Sequence, residues 1–76
     1  MQSSINSLRK DLKNNPVKLE LLNTMYSILE ENNFPDKIEI VLLKHYSSSL
    51  KKQIAALLGY SVTSKKISDT FKIRKL

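Results

Sequence analysis

Residues 53–61 read Gln53-Ile54-Ala55-Ala56-Leu57-Leu58-Gly59-Tyr60-Ser61, and this stretch bears most directly on the fold. Ile54, Ala55 and Leu58 share one face of a helix, and Gly59 stands where a helix end commonly takes a left-handed residue. A helix-turn-helix needs a small residue that lets a second helix approach, a turn glycine, and apolar residues that clamp the pair. Ala55, Gly59 and the group Ile54, Leu58 and Tyr60 supply those parts. The spacing predicts a helix over Leu50 to Leu58, then a second helix beginning between Ser61 and Ser64. Ile67 and Phe71, at i and i+4, mark the buried face of that second helix.

Upstream, Ser47-Ser48-Ser49 suits a corner and an N-cap. Before it, Asp36 and Glu39 form the D-x-x-E pattern of a capping box, and Ile38, Val41, Leu42 and His45 fall on one helical face. Leu21, Leu22, Met25, Ile28 and Leu29 make a broad stripe on a helix from about Pro16 to Asn32. Asn15 is its expected cap, Pro16 its first residue, and Asn32-Asn33-Phe34-Pro35 its stop. Ser3 or Ser4 is expected to cap a first short helix whose stripe, Ile5, Leu8 and Leu12, is narrow like a seam or a strap. One glycine and two prolines are too few for a domain built of hairpins. The fold class expected is all-α: a small bundle of about five helices ending in a helix-turn-helix. Residues 1–76 form one domain, with N-terminal helices over 1–34 and the helix-turn-helix module over 35–76.

A chain of 76 residues buries a modest core, and with no cysteine it has no disulfide or thiolate metal site to brace it. Self-association through the N-terminal helices is one remedy, and the stripe Ile5, Leu8, Leu12 is the candidate seam for a homodimer. No apolar run reaches the roughly 20 residues of a membrane span, and no leader is expected. The reading is a soluble, cytoplasmic protein, nucleoid-associated in a bacterial cell. No enzyme is expected. Glu30 and Glu31 are adjacent and so splay by about 100° on a helix. The single histidine, His45, suits capping or partial burial, because no second ligand lies at a metal spacing. No cofactor and no metal are expected.

The charge is one-sided. Residues 1–43 carry five cations against six anions, a net of −1. Residues 44–76 carry eight cations (Lys44, Lys51, Lys52, Lys65, Lys66, Lys72, Arg74 and Lys75) against Asp69 alone, a net of +7. Such a half is the electrostatic footprint of a surface that meets phosphates, although a solvated lysine-rich helix gives the same count.

From Ile38 to Leu76 the chain resembles the DNA-binding module of LuxR/GerE-type regulators. Ile38-Glu39-Ile40-Val41-Leu42 corresponds to that family's scaffold helix. Gln53-Ile54-Ala55 stands for its E-I-A, Leu58 for its leucine, Tyr60-Ser61 for its I-S, Ser64 for its threonine and Lys66 for its lysine. Lys75-Leu76 falls on its K-L. The Gly59-Tyr60-Ser61 turn is also similar to that of phage small-terminase DNA-binding domains. The resemblance implies a helix-turn-helix that binds double-stranded DNA.

Charge and resemblance together point to a small DNA-binding protein, a transcriptional regulator, whose fifth helix enters the major groove. Lys65 and Lys66 reach the duplex from that helix, with Thr63, Ser64 and Asp69. The hydroxyls of Ser61, Thr63 and Ser64 suit phosphate, Lys51 and Lys52 grip the backbone, and Lys72, Arg74 and Lys75 add to the field. The alternative is a helical interaction module, an inhibitor or adaptor, that binds an acidic protein through the same helix. A single arginine in the basic half leans toward that alternative or toward DNA binding without sequence preference.

Overall fold

The computed structural model describes residues 2–76, with side chains from Ile5 onward. Three helices are present: α1 (Gln2–Asp11), α2 (Pro16–Glu31) and α3 (Ser48–Leu57). Three strands, β1 (Lys37–Val41), β2 (Tyr60–Val62) and β3 (Thr70–Lys75), form one antiparallel sheet in the order β1-β3-β2. The architecture is α+β, which overturns the all-α expectation.

The helix boundaries follow local chemistry. Asn15 caps α2 by accepting the Lys18 N–H, and Pro16 opens the helix. Asn33 (φ 59°) and Phe34 (φ 49°) turn left-handed to end it, and the Phe34 N–H returns to the Leu29 carbonyl at 2.8 Å. Ser47 caps α3 by accepting the Leu50 N–H. Gly59 follows α3 with φ +85°, and a Cβ there meets nothing within 4 Å. Its need for glycine is therefore conformational, not steric. Gly59→Ala is expected to cost about 1–2 kcal/mol in chemical denaturation, and an unchanged midpoint would show that this turn relaxes freely. The expected caps of the first helix, Ser3 and Ser4, lie within α1, and their side chains fall outside the described residues.

Two expected helices are strands. The third helix was expected to bury Ile38, Val41, Leu42 and His45. Instead Ile40 (0% exposed) and Leu42 (4%) face inward while Val41 is 57% exposed and His45 lies on the surface. That is a period of two, and the β-branched run Ile38-Glu39-Ile40-Val41 favours it. Asp36 makes no cap, and Glu39 stands opposite Lys72 across the ladder. The fifth helix, and with it the helix-turn-helix, is replaced by β2, a loop over residues 63–69, and β3. Phe71 and Ile73 point in and Lys72 and Arg74 point out. Once paired, alternation over Thr70–Lys75 outweighs the i, i+4 spacing of Ile67 and Phe71.

All three helices lie on one side of the sheet. The core joins Leu21, Leu22, Met25 and Leu29 of α2 and Ile54 and Ala55 of α3 to Ile40, Tyr60, Phe71 and Ile73 of the strands. The buried Tyr60 donates its hydroxyl to the Pro35 carbonyl at 2.7 Å, and burial, then the Asp36 charge, pushes its phenol up. Helix α1 straps this core. Ile5 is buried, Leu8 and Leu12 pack against the cluster, and Arg9 donates to Asn23 Oδ1 at 2.9 Å. The stripe read as a spare dimer seam is thus occupied within the monomer. No helix among the described residues is long and apolar enough to cross a membrane.

Candidate functional site

The face of the sheet away from the helices is bare. Strand alternation and register place side chains there in rows. Lys37 of β1 stands opposite Arg74 of β3, which stands opposite Ser61 of β2. One step along, Glu39 stands opposite Lys72, and Thr63 donates its N–H to the Lys72 carbonyl at 2.9 Å. Lys37, Glu39, Thr63, Lys72 and Arg74 line a shallow depression of about 400 Å³ on this face. The net charge of that floor is positive, with Lys37, Lys72 and Arg74 against Glu39.

The loop between β2 and β3 extends the positive field. It carries Lys65 and Lys66, both exposed. Its stem is held from several sides. Ser64 Oγ accepts the Lys72 N–H at 2.6 Å. Ser68 Oγ donates to the Thr70 carbonyl at 3.0 Å and accepts the Thr70 N–H at 3.3 Å. The Asp69 carbonyl accepts the Leu42 N–H at 2.8 Å, and the Asp69 carboxylate lies 3.1 Å from His45 Nδ1. Helix α3 supplies a further tie. Lys51 is 1% exposed, its ammonium donates to the Ser68 carbonyl, and it sits 5.5 Å from the Phe71 ring centroid. A cation near an aromatic ring, with a carbonyl to accept its hydrogen bond, offsets part of the cost of burying a lysine.

The expected site residues therefore divide. Ser61, Thr63, Lys72 and Arg74 come together on the outer face, with Lys65 and Lys66 on the adjoining loop. Ser64 and Asp69 shape the loop. Lys51 is interior and does not reach a backbone phosphate in this arrangement. Lys52 is exposed on α3, which packs against the opposite side of the sheet. Lys75 turns away, donating to the Phe34 carbonyl at 2.8 Å with Asp36 at 3.9 Å. Lys37 was missed. It sits in the half with net negative charge, and only the alternation of Ile38 and Ile40 signals that it joins Arg74.

Two cations of the C-terminal half, Lys44 and Lys75, are held by carboxylates. Lys44 pairs with Glu20 at 3.0 Å, and that hydrogen bond pushes its pKa up. Among the described residues, Lys37, Lys65, Lys66, Lys72 and Arg74 take part in no ion pair. No group of three or more His, Cys, Asp or Glu that could hold a metal occurs among the described residues. Comparison with protein-family models, with curated proteins and with solved structures returns no match for this chain.

Proposed function

We propose that this protein binds double-stranded DNA through the outer face of its sheet and the adjoining loop. The observation that carries the reading is the row of outward-facing cations Lys37, Lys72 and Arg74, none of them in an ion pair, beside Ser61 on the outer face of the sheet, with the exposed Lys65 and Lys66 on the loop that joins β2 to β3. Cations and hydroxyls are what phosphate oxygens take. Strands as well as helices contact DNA grooves, so the loss of the expected fifth helix does not remove cations and hydroxyls from a surface that can meet a duplex. The outer face carries no aromatic ring, hence no stacking platform for single strands, which favours a duplex. Arg74 is the residue suited to a bidentate guanine contact, and the lysines suit phosphates.

Mixed-sequence duplex should bind at low salt. With about four phosphate contacts, log K should fall against log salt with a slope of about −4, roughly a 10²-fold loss between 50 and 200 mM. Fluorescence anisotropy across that range is the test. Undetectable binding at low salt, or a flat dependence, sinks the reading. Polyglutamate bound as tightly as duplex replaces it with an acidic protein partner.

A further inference from the structure

The β1 edge of the sheet is open, and its hydrogen-bond phase is readable. The Leu42 N–H binds the Asp69 carbonyl and the Lys75 N–H binds the Asp36 carbonyl. In the β1–β3 register these contacts make Ile38–Ile73 and Ile40–Phe71 the hydrogen-bonded pairs. The N–H and C=O groups of Lys37, Glu39 and Val41 therefore point away from β3, out of the sheet. None of them has a backbone partner among the described residues. Beside this edge stand two exposed apolar side chains, Val41 at 57% and Leu43 at 102%. The opposite edge, β2, is shorter. Open edges with apolar margins are templates for strand pairing.

We infer that β1 pairs antiparallel with β1 of a second copy, joining two three-stranded sheets into one of six strands. The strand is complementary to itself. Centred on Glu39, the two-fold register sets Lys37 against Val41 of the second copy. It uses every outward donor and acceptor of the three residues. On the inner face it sets Ile38 against Ile40 of the second copy, and Ile38 is only half-buried in the monomer. It also carries Leu43 toward Pro35 of the second copy. The one adverse contact is Glu39 against its own counterpart, each with Lys72 on its other side. Like charges opposed across a ladder weaken pairing. The pairing stands without the DNA reading. Where both hold, the outer faces form one continuous two-fold floor, and a symmetric duplex site follows.

Sedimentation equilibrium of the full chain, without DNA, tests this. A monomer–dimer equilibrium is expected at high micromolar concentration. Glu39→Pro removes an N–H that serves only the open edge, so the monomer should stay folded by circular dichroism while the dimer is lost. Val41→Lys, which sets a cation against Lys37 of the second copy, should weaken the dimer at least tenfold and decides the matter if the proline variant unfolds. Glu39→Gln should tighten the dimer about two- to fivefold. A chain that is monomeric at every concentration overturns the inference and leaves the edge to a peptide of another protein. A dimer that survives Val41→Lys, or one that Glu39→Gln weakens, also overturns it.

Discussion

Lys51→Ala is expected to destabilise the fold by about 2–4 kcal/mol, more than any other lysine truncation in the chain. Lys51 is 1% exposed, so the truncation empties space that the stem fills and leaves the Ser68 carbonyl without its donor. Lys51→Met keeps most of the stem and removes only the charge and the hydrogen bond. Its expected cost is smaller, about 1 kcal/mol, because a buried ammonium also carries a desolvation penalty that methionine avoids. Both variants should loosen residues 63–69, since Lys51 is what ties that loop to α3. Urea denaturation measures the first effect, and hydrogen exchange at residues 63–69 measures the second. If Lys51→Ala denatures at the wild-type midpoint, the lysine is not an anchor, and its burial is incidental.

Reversing Lys72 and Arg74 together to glutamate should abolish most DNA binding while sparing the fold. Both side chains are exposed on the outer face, and neither contributes to the core. The stability change should stay within about 1 kcal/mol, as for paired surface substitutions. The loss in affinity should reach about 10²-fold or more at low salt, because two phosphate attractions become repulsions. The salt slope should become shallower by about two. Arg74→Lys separates two roles for the arginine. A phosphate contact tolerates the change on every sequence, whereas a bidentate guanine contact loses about 1–3 kcal/mol of discrimination at one base pair. A double reversal that binds duplex like wild type would remove the outer face from consideration.

Much of the helical part was legible because its signals are local. A cap such as Asn15 or Ser47 works on backbone groups two or three residues away. A left-handed residue such as Gly59 ends the helix it adjoins. The α2 stripe needs no partner to be recognised, and the burial of Ala55 followed from the α3 phase, although its neighbours are a helix and a sheet rather than a crossing helix. The strands were misread for a specific reason. Ile38, Ile40, Val41 and Leu42 are dense enough in apolar residues to satisfy a period of 3.6 or of 2, and so are Ile67, Phe71 and Ile73. What decides between them is the ladder from Lys37–Val41 to Thr70–Lys75, and those partners lie some thirty residues apart.

The candidate site divides along the same line. Residue order alone establishes that the C-terminal half is basic, that Ser61, Thr63, Lys65, Lys66, Lys72 and Arg74 lie close together in the chain, and where α2 and α3 stop. Which cations face solvent together is set by strand pairing and packing. Strand alternation splits Lys72 and Arg74 from Lys75, antiparallel pairing brings Lys37 to Arg74 from the half with net negative charge, and the Ser68 carbonyl holds the Lys51 ammonium inside. Formal charge is a property of composition. Whether a long, flexible lysine spends that charge on a backbone carbonyl, a carboxylate or the solvent depends on neighbours that only the folded chain supplies.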